Sequence, residues 1–137
     1  MKAFPIYMLV ATFAFLSCSK SKISNDYLTV SNCKDFKLPT QKVNVCFDRV
    51  VNDSRCPSDA ICTMQGYAVV ALKVLIGTEL HDIQLATFSG LPQLPSPDTT
   101  IQNIKIELQE LTPYPCMHCP SPPGKEKYAV KLKLSGL

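Results

Sequence analysis

The stretch Tyr67-Ala68-Val69-Val70-Ala71-Leu72-Lys73-Val74-Leu75-Ile76, with Gly77-Thr78 and then Glu79-Leu80-His81-Asp82-Ile83-Gln84-Leu85-Ala86-Thr87-Phe88 behind it, decides the fold. In its first part Val70, Leu72 and Val74 fall on one face of an extended chain, and Val69, Ala71 and Leu75 on the other. A short run that is apolar on both faces is the pattern of a central strand. Gly77-Thr78 then reads as a two-residue turn of the glycine-first kind. The return strand runs to Phe88, with Ile83 and Leu85 alternating against Asp82 and Gln84, and His81 falls on an exposed strand face. The pair is a hairpin, and a hairpin with two apolar faces on one arm needs further strands to cover it.

Outward from this hairpin the period of two continues. On the N-terminal side Val43, Val45 and Phe47 alternate with Lys42, Asn44 and Cys46. On the C-terminal side a proline-bearing loop at 90–99 (Pro92, Pro95, Pro97) leads to Ile104, Ile106 and Leu108, which alternate with Lys105, Glu107 and Gln109. The last such segment sets Tyr128, Val130, Leu132 and Leu134 against Ala129, Lys131 and Lys133. No window carries a helical stripe. Alternating strands punctuated by turn residues predict an all-β fold, an antiparallel β-sandwich (Ig-like or barrel-like) of about five to seven strands.

The N-terminus has a different character. Lys2 precedes an almost unbroken apolar run at 6–16, shorter than the roughly 20 residues a bilayer span requires. A charge, a short apolar core and then small residues form the pattern of a cleaved export signal. The cut region Phe15-Leu16-Ser17-Cys18 resembles a lipobox, in which cleavage precedes a cysteine that carries a diacylglycerol thioether. The sequence therefore divides into a lipoprotein signal peptide at 1–17, a lipidated Cys18 with a flexible tether at 18–32, and a single β-sandwich domain at 33–137. Removing the signal leaves about 120 residues, the size of one domain. Two or more acyl chains make membrane attachment persistent where one does not, so the first partner read from the chain is a lipid bilayer, bound through acylated Cys18. Ser19 follows that cysteine with no acidic run nearby, which points to the cell envelope and to an outer membrane, facing the periplasm.

Charge and composition narrow the function. Fourteen Lys and Arg against eleven Asp and Glu give a net charge of +3, and the lysines are scattered. A nucleic-acid surface would gather them into a stripe, so no nucleic-acid partner is expected. Glycine-rich phosphate loops and zinc-protease helices are absent from the sequence, and its two histidines lie in separate segments. The chain reads as a non-enzyme without a cofactor: a binding or structural module of the envelope, for an envelope protein or ligand that the residues do not name.

Cysteine usage agrees with export. Setting Cys18 aside leaves six cysteines, Cys33, Cys46, Cys56, Cys62, Cys116 and Cys119. An even set in a small exported domain predicts disulfides, with fifteen connectivities for six. Proximity favours Cys56–Cys62 across a short loop, and Cys33–Cys46 and Cys116–Cys119 are the remaining candidate pairs. Pro115-Cys116-Met117-His118-Cys119-Pro120 carries a second possibility. Cys116, Met117, His118 and Cys119 are four metal-ligating side chains in a row, suited to copper or zinc. Cys-x-x-Cys is also a redox spacing, but that chemistry normally sits at a strand-to-helix junction, and flanking prolines oppose a helix there. The bland alternative is an oxidised pair in a tight loop.

The segment Asp53-Ser54-Arg55-Cys56-Pro57, with Cys62 and Gly66 behind it, is the other concentration of unusual residues. Asp53 can accept hydrogen bonds from the amides that follow it, Pro57 fixes a turn, and Gly66 can take a backbone angle closed to other residues. Arg55 could grip a ligand carboxylate or phosphate bidentately. Equally it could pair with Asp53 or Asp59, or donate to loop carbonyls, since its five donors suit loop-pinning. The segment resembles one found in small bacterial lipoproteins of unknown function, which carry Asp-Ser-Arg-Cys-Pro, a second cysteine about six residues on, and then a glycine and alternating valines. Those proteins also tend to have a Leu-Thr-Pro-Tyr-Pro element before a final Tyr-containing strand, here Leu111-Thr112-Pro113-Tyr114-Pro115 and Tyr128. The resemblance covers about 36–137, with Met64 where that family has tryptophan. It implies a β-rich domain and a structural disulfide, and no activity.

Overall fold

A computed structural model describes residues 27–119, 124 and 127–137. The signal peptide, Cys18 and the first part of the tether lie outside the described residues. Eight strands make up the described chain: β1 (Tyr27–Thr29), β2 (Cys33–Lys37), β3 (Lys42–Asp53), β4 (Ala68–Ile76), β5 (Glu79–Ala86), β6 (Asp98–Ile101), β7 (Ile104–Thr112) and β8 (Ala129–Gly136). They form two four-stranded antiparallel sheets, β1-β8-β7-β6 and β2-β3-β4-β5, which are not closed into a barrel. The β-sandwich is as the alternation predicts. Neighbours follow chain order within β2 to β5 and within β6 to β8, and β1 is added beside β8, so these are two meanders and not an immunoglobulin Greek key.

The extra strands are the short ones. β1, β2 and β6 are edges of their sheets, and β1 and β2 bury one side chain each, Leu28 and Phe36. Three to five residues with one inward side chain carry no period to read. β1 also moves the start of the ordered domain to Tyr27, so the segment at 18–32 is not tether throughout. Likewise the proline loop ends sooner than 99, because β6 begins at Asp98 and pairs with Glu107 of β7.

Between the sheets lies one core. Val43, Val45 and Phe47 of β3 and Val70, Leu72 and Val74 of β4 are fully buried, facing Ile104, Ile106, Val130 and Leu132. The β4–β5 turn is Gly77-Thr78, with Gly77 at φ 61°. Gln102 and Asn103 both take positive φ in the β6–β7 hairpin, which is the type I′ geometry. On the outer face of β4 Val69 and Ala71 are covered while Lys73 and Leu75 are not, so that strand is apolar on both faces but covered on the second only near its start.

Bulges determine what the long strands bring to one end of the sandwich. β3 shifts register between Phe47 and Arg49 and again between Val50 and Asn52. Each bulge adds one residue and moves the inward set by one. Inward positions therefore run Val43, Val45, Phe47, Val50 and finally Asp53, which lies opposite Ala68. β7 does the same between Leu108 and Glu110, so that Leu111 is buried. Asp53 and Leu111 thus reach the same end of the core from opposite sheets.

Phe47 is fully buried at the centre of this core. Phe47→Ala is expected to lower unfolding stability by about 3–5 kcal/mol, measured by urea denaturation with an unchanged slope.

Candidate functional site

Three loops meet where Asp53 and Leu111 end their strands: 54–67 between β3 and β4, 87–97 after β5, and 113–119 after β7. The first is folded back on itself. Ser54 N donates to the Tyr67 carbonyl and Cys56 N to that of Gln65, both at 2.8 Å, and the Cys56–Cys62 disulfide closes the tip. Gly66 makes the close approach possible: at φ +68° its position admits no side chain, since a Cβ would stand 1.9 Å from the Ser54 carbonyl oxygen.

Arg55 holds the loops to the sandwich. Its side chain is buried, and the carboxylate it grips is the chain's own. Nε donates to Asp53 Oδ1 at 2.8 Å and Nη2 to Oδ2 at 2.7 Å. Nη1 donates to the Leu111 carbonyl at 2.5 Å and Nη2 to that of Pro113 at 2.8 Å, beyond a cis Thr112–Pro113 peptide. Tyr128, just before β8, donates its hydroxyl to Asp53 Oδ2 at 2.9 Å. The backbone amide of Arg55 also donates to Asp53 Oδ1, at 3.2 Å. Tyr114 lies over the guanidinium, 4.4 Å from ring centroid to Cζ, a cation–π distance. Arg55 thereby joins the ends of β3 and β7, and Asp53 links both to Tyr128 ahead of β8.

The electrostatics follow from this arrangement. Burial by itself would push the Asp53 carboxyl up, but hydrogen bonds from Arg55 and Tyr128 and the Arg55 charge outweigh it and hold it below the usual carboxylate range. Burial likewise opposes the charge on Arg55, and Asp53 more than restores it. The Tyr128 hydroxyl is pushed up, first by burial and then by its bond to Asp53.

Asp59, on the first loop, does not meet Arg55. It holds the third loop instead. Its carboxylate accepts from the backbone amides of Met117 and His118, each at 2.9 Å, and lies 2.9 Å from His118 Nδ1. The two backbone bonds, before the His118 side chain, hold the Asp59 carboxyl below its usual range. Ser58 N adds a bond to the Pro115 carbonyl at 3.0 Å. Cys116 and Cys119 are joined as a disulfide, and a disulfide has no thiolate for a metal. In this form the copper or zinc alternative keeps only Met117 and His118, and among the described residues no group of three or more His, Cys, Asp or Glu is placed to hold an ion. The third bridge, Cys33–Cys46, joins β2 to β3 at directly opposed positions away from this end.

Between the first and second loops, over the Arg55–Tyr114 stack, lies a shallow cleft of about 380 Å³. Its walls are Ser58, Gln65, Gly66, Thr87, Phe88 and Tyr114. Thr87 Oγ1 is already engaged, accepting from the Ala68 amide at 2.9 Å. Neither histidine lines the cleft, and His81 lies on β5, with Nε2 3.6 Å from Glu79 Oε2. Of the residues singled out in the sequence, Asp53, Ser54, Arg55 and Gly66 come together as a brace, and Cys116 to Cys119 form the neighbouring loop. Tyr128 and Asp59 complete the brace and the loop. The sequence hinted at the C-terminal half of this junction through the Leu-Thr-Pro-Tyr-Pro element and the Tyr128 strand, and named Asp59 only as an alternative partner of Arg55. No protein-family model matches the chain, and no curated protein or solved structure matches it either.

Asp53 ionises more readily in the folded chain than in an unfolded one. It therefore favours folding at every pH above the ordinary carboxylate range of about 4, and that contribution is lost as acid titrates the folded carboxyl. Asp53→Asn is expected to cost about 3 kcal/mol at neutral pH, the low end for breaking a buried pair. It should also flatten the acid loss of stability below about pH 4 relative to wild type, read by urea denaturation across a pH series. An unchanged acid limb would contradict this assignment.

Proposed function

We propose that the chain is an envelope lipoprotein, held to its membrane by lipid on Cys18, whose folded part is a non-enzymatic binding or structural module working through its Arg55 end. The observation that carries this reading is where the polar groups of that end are spent. Asp53, Arg55 and Tyr128 bond one another and backbone carbonyls, and Asp59 bonds backbone amides. Such groups fix loops; they do not present a nucleophile and a base to a substrate.

Support for the anchor comes from the sequence at 1–18 and from three disulfides in the domain, which suit an oxidising compartment. The resemblance to small lipoproteins of unknown function points the same way, as does the periplasm-facing placement read from Ser19.

Intact mass of the protein extracted from membranes tests the reading. The expected mass corresponds to a chain beginning at Cys18 with a diacylglycerol thioether and an N-acyl group, six cysteines oxidised and no metal. Cys18→Ser should move the protein to the soluble envelope fraction. An unmodified Cys18, or free thiols at Cys116 and Cys119 with a bound metal ion, would overturn it.

A further inference from the structure

The two ends of the sandwich differ in polarity. At the end away from Arg55 the connections are polar, Pro39-Thr40-Gln41, Gly77-Thr78 and Gln102-Asn103, and three exposed large apolar side chains, Leu75, Leu80 and Leu137, lie near them. At the Arg55 end, Ile61, Met64, Phe88, Leu91, Tyr114 and Met117 are all exposed, and Ile61, Met64 and Met117 keep 105%, 77% and 66% of their surface in water. These six are more than half of the large apolar side chains exposed among the described residues, so the clustering is not the ordinary scatter of surface hydrophobes.

Charge is sparse in the same place. Across 54–67, 87–97 and 113–119 the only Asp, Glu, Lys or Arg are Arg55 and Asp59, while the rest of the β7–β8 connection adds Lys125, Glu126 and Lys127 before Tyr128. Arg55 is buried against Asp53, and the Asp59 carboxylate accepts two backbone amides. The disulfides Cys56–Cys62 and Cys116–Cys119 and the Ser58–Pro115 bond hold the tips in place, so ordering them on a surface has little entropic cost.

Chain length outside the described domain says what can meet this end. The domain begins at Tyr27, paired with Lys131, two residues along β8 from Ala129 at the Arg55 end, or about 7 Å. Nine residues from Cys18 to Asp26 reach roughly 30 Å when extended. A lipid on Cys18 can therefore lie in a plane that touches the three loops. The polar end is also within reach, so reach permits contact and side-chain chemistry selects the end.

We propose that the Arg55 end is a membrane-contact surface whose apolar loop tips rest in the headgroup boundary of the bilayer carrying the Cys18 lipid. This rests on the lipoprotein reading. Apolar tips suit that boundary, and a lysine beside them, as at exposed Lys127, suits its anionic headgroups. The tether supplies a high effective concentration, so contacts too weak to recruit a free domain suffice for an anchored one.

The sequence contains no tryptophan, so Ile61→Trp, Met117→Trp and, at the polar end, Thr78→Trp each place one emitter in the full lipidated chain. The proteins are reconstituted in phosphatidylethanolamine–phosphatidylglycerol vesicles containing brominated phosphatidylcholine and recovered by flotation. The expected result is blue-shifted emission and several-fold stronger bromolipid quenching for Ile61→Trp and Met117→Trp than for Thr78→Trp, with the order reversed for aqueous iodide. Floating protein in which all three emitters are equally open to iodide overturns membrane contact and leaves this end free for a protein partner. Failure to float overturns the lipoprotein reading itself, and this proposal with it.

Discussion

A guanidinium buried between two sheets is costly unless its charge is paired and its donors are met. Arg55 spends four of its five N–H donors on Asp53, Leu111 and Pro113, joining parts of the chain that are far apart in sequence. Arg55 takes both oxygens of Asp53 at the end of β3, the Leu111 carbonyl on β7 and the Pro113 carbonyl beyond it, while Tyr128 at the start of β8 completes Asp53. Removing one partner of such a pair leaves an uncompensated buried charge, a far larger loss than any surface ion pair represents. Two of the three loops that carry exposed apolar tips, 54–67 and 113–119, begin directly from this brace, so their positions depend on it.

The brace in turn depends on strand irregularity. Without the two bulges in β3 and the one in β7, the alternation of these strands would run unbroken past Phe47 and Leu108. Val50 and Leu111, on positions of the opposite parity, would then leave the core. The β7 bulge turns Leu111 inward, while the two in β3 cancel in parity, so that Asp53 still faces inward and is set opposite Ala68, at the level of Leu111. Gly66 adds the last condition, because the turn-back of the first loop leaves no room for a side chain against Ser54.

Much of this was legible in residues. The hairpin of β4 and β5, the Val43-Val45-Phe47 face and the alternation of β7 and β8 followed from period alone, because each of those strands sets two or more apolar side chains on its inward face. The edge strands β1, β2 and β6 did not, since Leu28 and Phe36 stand alone on theirs. Bulges were equally invisible: one inserted residue changes parity without leaving any residue type as a mark. Arg55 was visible as a residue able to bind loop carbonyls, but its choice of Asp53 over Asp59 was not, because both acids lie within four positions of it and only the fold separates them. Asp59, freed from that role, holds the Cys116–Cys119 loop.

The central claim is that Asp53 and Arg55 act as one unit in fixing this end of the sandwich. A double-mutant cycle of Asp53→Asn and Arg55→Met in urea denaturation measures it most directly. The account predicts that the double variant loses less stability than the two single losses combined, by at least about 2 kcal/mol, because each single change strands its buried partner. Losses that add to within about 0.5 kcal/mol would show two independent surface groups and contradict it.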